Sequence, residues 1–131
     1  MTLEKRPDNE MKKASGPRRV LAATRYSLQG LARLWGEAAF RTEVVVFILG
    51  LALFAVIGAE VGDTLIFVIL MLLLFAVEAL NTAIEELVNR ISPEISTVGR
   101  NAKDLGSFAV LCLLCANGMF VLWCLYKSLF G

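Results

Sequence analysis

Glu78, Asn81, Thr82 and Glu85 interrupt one of the most apolar stretches of a 131-residue chain. Their spacing of i, i+3, i+4 and i+7 puts all four on one face of a helix. Ahead of them runs Thr64–Val77 (TLIFVILMLLLFAV), without a single charge. On a helix that begins at Thr64, Glu78 falls about 21 Å along the axis, just inside an apolar layer of membrane thickness. An ionisable group at the middle of a membrane helix costs about 2.5–3.5 kcal/mol on insertion scales, and less toward the interface, so a Glu at this depth is a functional hypothesis by default. The stripe climbs from Glu78 to Glu85, about 10 Å further on, at headgroup or water depth. One end can meet a lipid and the other a water-soluble molecule.

Polar side chains on membrane helices often serve as glue between helices, and Asn81 and Thr82 alone read that way. Two carboxylates on the same face fit glue poorly, because they repel each other unless a proton or cation lies between them. A proton or ion relay is one functional option. A second follows from further carboxylates expected at the same level: Glu37 and Glu43 at the start of one apolar run, Glu94 in a polar link, and Asp104 where the last run begins. The chain has no His, so neither imidazole acid–base chemistry nor His metal sites are available to it. Carboxylates without His or paired Cys suit hard cations, Mg²⁺ above all, which takes one or two carboxylates plus phosphate oxygens. Arg18, Arg19, Arg100 and Lys103 supply complementary charge for phosphates. Mg²⁺ with phosphate at a membrane surface points to phosphoryl transfer rather than to a channel. The familiar nucleotide signatures are absent: there is no GxxxxGK[ST] loop, no GxGxxG after a strand, and no HRD or DFG pattern.

The elements that position these residues follow from composition and periodicity. A chain of 14.4 kDa has room for one domain. It is 57% hydrophobic and 19% charged, with a mean hydropathy of +0.68. That is more apolar surface than a soluble domain of this size can bury, and a disordered chain would be apolar-poor. Residues 1–17 (MTLEKRPDNEMKKASGP) are polar and read as a flexible tail, with no apolar stretch early enough for a signal peptide. Beyond them, Val20, Leu21, Leu28, Leu31, Leu34 and Trp35 recur at helical spacing, with Arg18, Arg25, Gln29 and Arg33 elsewhere around the wheel. This predicts an amphipathic helix over 18–36 lying on a membrane surface. Three apolar runs predict spans over about 40–59, 64–91 and 105–126. The link Glu60-Val61-Gly62-Asp63 is so short that the first two spans must be antiparallel neighbours. Ser92-Pro93 marks a helix start, so the second span should end near Ile91.

Gly106, Ala109, Cys112, Ala116 and Gly118 are small enough to let helices approach closely. Cys112, Cys115 and Cys124 are odd in number and lie in one apolar run, which suits packing and not a disulfide framework or a redox pair. Trp35, Trp123 and Tyr126 read as interface anchors. Nine of the thirteen Lys and Arg precede Val44, while Arg90, Arg100 and Lys103 sit between the second and third spans. The 60–63 link has none and the C-terminus only Lys127. The positive-inside bias then puts the N-terminus and the 86–104 link in the cytoplasm and the C-terminus outside. The expected fold is an all-α membrane protein: three transmembrane helices plus an N-terminal amphipathic surface helix, with 18–131 as a single domain.

EAAFRTE at 37–43, EALNTAIEELVNRI at 78–91 and NAKDLGS at 101–107 closely resemble the prokaryotic integral-membrane diacylglycerol kinase family, in the same order and spacing. The resemblance implies a bacterial inner-membrane enzyme that phosphorylates the free hydroxyl of diacylglycerol with MgATP to give phosphatidic acid. It further implies a homotrimer with composite sites and no nucleic-acid partner. Carried over position by position, Glu78 matches the general base and Asn81 a polar residue beside it. Glu37 and Glu85 match the carboxylates that hold the metal and its nucleotide. Glu94, Lys103 and Asp104 match nucleotide contacts, and Arg18, Arg19 and Tyr26 match further ATP or substrate contacts. Glu43, Glu78 and Ser107 fall at positions near the acceptor lipid. A sister branch that phosphorylates undecaprenol carries the same E-x-x-N-T-A-I-E core, so the acceptor stays open between the two lipids.

Overall fold

Pro17 opens the first helix, its ring fixing φ at a helical value and its missing N–H falling where no partner is needed. Gly16 precedes it at φ 65°, in the left-handed region that suits glycine. The computed structural model describes residues 15–92, 94 and 96–131. Of the tail expected over 1–17, residues 1–14 lie outside those described. Helix α1 (Pro17–Leu34) ends two residues short of the expected 36, where Trp35 N–H closes onto Leu31 O. Val20, Leu21, Leu28 and Leu31 are all exposed on it. With residues up to Gly36, α1 forms one compact unit; Glu37–Gly131 forms the other.

The second unit contains three helices, each long and apolar enough to cross a membrane: α2 (Ala38–Val56), α3 (Val61–Ile91) and α4 (Thr97–Phe130). At 1.5 Å per residue, α3 and α4 run to about 46 and 51 Å, well beyond a hydrocarbon core of about 30 Å. Both therefore carry polar turns out of the apolar layer. The reversal between α2 and α3 sits earlier than Glu60–Asp63. Gly58 at φ 66° lets its own N–H reach Ala55 O and the N–H of Ala59 reach Phe54 O, at 3.3 and 2.9 Å. This paired closure ends the helix around a left-handed glycine. Val61, Gly62 and Asp63 are thus the first turn of α3, where the Asp63 carboxylate complements the positive end of the helix dipole.

The expected helix start at Ser92-Pro93 is also corrected. Ser92 is the C-cap of α3, and Pro93 lies outside the described residues. The N-cap of α4 is Ser96, whose Oγ accepts from Gly99 N–H at 3.0 Å. Ser92 Oγ donates to Ser96 Oγ at 2.9 Å, so one hydroxyl ties the two helix ends together. The predicted end of the second span at Ile91 is the observed one.

Phe54, Phe67, Met71, Leu74 and Cys124 form the buried core among the three helices. The Phe54 and Phe67 rings lie 5.0 Å apart, and Phe40 meets Phe75 edge-on at 5.2 Å. A Cβ at Gly50 would collide with the Phe67 ring, so glycine sets how closely α2 approaches α3. Asn117 ties α4 to α3, its Nδ2 donating to Leu70 O at 3.3 Å and to Leu113 O at 2.9 Å. At the end away from the α3–α4 link, Lys127 Nζ pairs with Asp63 at 2.6 Å. Within the chain the small residues of α4 differ in exposure, with Ala116 half-buried. Gly106 is buried against α3, whereas nothing lies within 4 Å of a Cβ at Gly118, and Ala109, Cys112 and Cys115 are exposed. Within the chain, only Cys124 of the three cysteines is a packing residue. Trp123 and Tyr126 are exposed and stacked at 6.0 Å.

Candidate functional site

The stripe on α3 occupies one face, as its spacing requires, and packing turns that face inward. Glu78, Asn81 and Thr82 are buried, and Glu85, the last of the four, is half-buried. Glu78 lies 17 residues into α3, about 26 Å from its start. Glu43, buried on α2, places its carboxyl within hydrogen-bonding reach of Glu78. The Glu43 Oε2 atom is buried without a hydrogen-bond partner. The charges of Glu85 and Glu37 both reach Glu78. Glu37 is half-buried at the N-cap of α2. The carboxyl groups of these two helices are thus graded from the buried Glu43 and Glu78 to the half-buried Glu37 and Glu85.

Asn81 connects the deep and shallow ends of this cluster. Its Nδ2 donates to Glu85 Oε1 at 3.4 Å, and its Oδ1 is buried without a hydrogen-bond partner. That oxygen is pressed against the α4 backbone at Gly106, where any Cβ would overlap it. Gly106 is therefore the seat that holds Asn81 facing Glu85. Gly106→Ala should displace Asn81 and destabilise the α3–α4 contact by about 1–3 kcal/mol, the usual cost of overpacking. Thermal unfolding in detergent, beside an activity assay, reads both effects; an alanine variant with unaltered stability and activity would remove Gly106 from this role.

The remaining expected residues fall in three places. Lys103 is half-buried early on α4, its Nζ donating to Asn89 Oδ1 on α3 at 2.7 Å. Asp104 and Ser107, three residues apart, share an exposed face of α4 with Phe108 and Leu111. Glu94 is exposed in the link between α3 and α4, its Oε1 3.2 Å from Ser92 Oγ. Arg18, Arg19 and Tyr26 belong to the first unit; Arg18 and Arg19 are exposed at the start of α1, and the Arg25 guanidinium lies 5.8 Å from the Tyr26 ring centre. Among the described residues, no three acidic or Cys side chains converge into a cage for a metal ion. The donors at hand are carboxylates in ones and twos, the set that suits Mg²⁺ arriving with phosphate oxygens and water.

Sequence reasoning put Glu43 and Glu78 at one level without pairing them, and it passed over Asn89. The second had a signal. Asn89 follows Glu85 by four residues, so it continues the polar stripe by one more turn.

The chain is similar to known proteins over most of its length. A family model for prokaryotic diacylglycerol kinase matches residues 25–125. A diacylglycerol kinase of a Sinorhizobium species is 53% identical over 110 residues, covering 84% of this chain and 80% of that protein. One from Pseudomonas aeruginosa is 41% identical over 96 residues, covering 72% and 78%. One from Escherichia coli K12 is 34% identical over 112 residues, covering 85% and 90%.

Proposed function

Because the chain belongs to the prokaryotic diacylglycerol kinase family, we propose that it transfers the γ-phosphoryl group of MgATP to the hydroxyl of diacylglycerol, giving phosphatidic acid and ADP. The observation that carries this reading is the buried carboxyl cluster that runs from acyl-chain depth at Glu43 and Glu78 to the half-exposed Glu85. The lipid hydroxyl arrives at the deep end and the nucleotide at the shallow one. Glu78 accepts the hydroxyl proton as the oxygen attacks the γ-phosphorus, and the bond from that phosphorus to the β-bridging oxygen breaks, leaving ADP. Glu37 and Glu85 would hold Mg²⁺, which would supply positive charge to offset that of the phosphates. Lys103 holds phosphate, with Glu94 and Asp104 as further nucleotide contacts. Asn81 keeps Glu85 oriented, and Glu43 and Ser107 lie on the lipid side.

Three thin helices cannot enclose such a site alone. The exposure of Asp104 and Ser107 on the outer face of α4 supports a homotrimer in which protomers complete one another's sites. The bias of Lys and Arg toward the N-terminus and the α3–α4 link supports a cytoplasmic placement for both, in a bacterial inner membrane. The exposed apolar residues of α1, with its arginines, support a helix lying on that membrane's surface.

The deciding experiment supplies labelled ATP with diacylglycerol or undecaprenol in mixed micelles, with and without Mg²⁺. Label should pass to diacylglycerol only when Mg²⁺ is present. Transfer to undecaprenol alone would reassign the acceptor, and ATP-independent proton flux without transfer would overturn the kinase reading.

A further inference from the structure

Lys103 is the one candidate phosphate ligand whose side chain the structure already holds by a short hydrogen bond to another helix. Its Nζ donates to Asn89 Oδ1 at 2.7 Å, joining residues fourteen apart in sequence across the α3–α4 link. Asn89 stands in the last turn of α3, which ends at Ile91. Unpaired backbone carbonyls collect there, and the helix dipole favours a cation. The long Lys side chain is otherwise costly to order, since fixing it forfeits about 1.5–2 kcal/mol of rotamer freedom.

We propose that Asn89 is a positioning residue for nucleotide binding: its amide oxygen holds the Lys103 ammonium over the end of α3, ready for a phosphate. This rests on the reading of Lys103 as a phosphate ligand. The choice of an amide matters. An ammonium has three N–H donors, and Asn89 takes one through a neutral oxygen. Two donors and the full positive charge stay available to phosphate. A carboxylate at 89 would hold the ammonium equally well in space, but it would neutralise the charge and compete with the phosphate oxygens. Asn89 also lies on the face of Glu78 and Glu85, one turn beyond Glu85. The metal-holding and phosphate-holding ends of the site are thereby set by successive turns of one helix.

The test is a set of steady-state measurements on the full chain in lipid micelles, varying MgATP at saturating diacylglycerol. Asn89→Ala should raise the KM for MgATP about fivefold, the worth of one ordinary solvent-exposed hydrogen bond, with the effect on KM rather than on the maximal rate. Asn89→Asp should also raise that KM, and added salt should narrow its difference from the parent, because the new defect is an ion pair. In a Lys103→Met background, Asn89→Ala should add nothing further, since an indirect effect vanishes when the residue it acts through is gone. If Asn89→Ala leaves the KM unchanged beside a Lys103→Met variant that raises it, the positioning role fails and the phosphate role of Lys103 stands. The positioning role also fails if Asn89→Ala is equally harmful with and without Lys103. If Lys103→Met itself binds MgATP normally, the reading of Lys103 fails first, and that of Asn89 with it.

Discussion

Glu78→Gln should lower turnover by about 10²–10⁴-fold, the usual contribution of a general base, while leaving the affinity for MgATP close to that of the parent. The substitution keeps the side chain's length and planarity and removes the oxygen that can take a proton. Its context makes the experiment clean. The buried neighbour is Glu43, whose carboxyl lies within hydrogen-bonding reach, and a Gln amide can donate to a carboxylate in the same place. Burial of the pair is therefore preserved, and loss of fold should not mimic loss of catalysis. Initial rates across a range of MgATP concentrations separate the two parameters. A variant with a normal maximal rate would remove Glu78 from proton transfer, and one with normal rate but weakened MgATP binding would make it a metal or nucleotide ligand.

Glu85→Gln should fail differently. Its carboxylate stands at the shallow end of the stripe and accepts a hydrogen bond from Asn81 Nδ2 at 3.4 Å. Gln retains an oxygen for that bond but loses the negative charge a hard cation needs. The apparent affinity for Mg²⁺ should fall by about 10–100-fold, a range seen even for residues that only support a metal's ligands. Excess Mg²⁺ should restore much of the rate. A titration of Mg²⁺ at fixed ATP, run beside Glu78→Gln, makes the comparison internal. Rescue of Glu78→Gln but not of Glu85→Gln would invert the two assignments. Full activity in both would return the stripe to helix–helix glue.

The depth of these two residues is the reason the two variants are expected to fail differently. Seven residues apart on one helix, they differ by about 10 Å along the axis. In a bilayer that distance is the step from acyl chains to headgroups. A soluble enzyme brings two unlike substrates together by shaping a cleft, whereas a long membrane helix can do so by running a polar face across the interface.

Periodicity and hydropathy were enough to read the helices, the three spans and the polar stripe on one face, because each is a local property of consecutive residues; the end of α3 at Ile91 was read from a helix start at Ser92-Pro93 that falls instead at Ser96. What they left open was rotational phase. The helices α2 and α4 are apolar nearly all round their spans, so their sequences carry no amphipathic signal to say which face turns inward. Only packing decided that Gly106 and not Gly118 meets α3, that Cys112 and Cys115 face outward, and that Glu43 turns to Glu78. The Ser92 and Ser96 caps illustrate the same division. Both are sound cap residues by type, but which helix end each serves depends on where α3 stops and how Val88 and Ser92 crowd the backbone at Gly99. The Asn89–Lys103 bond spans two helix ends, and no local pattern specifies how those ends meet. Residue types and spacing along one helix determined which groups are present and at what depth; the fit of side chains between helices determined which of them touch.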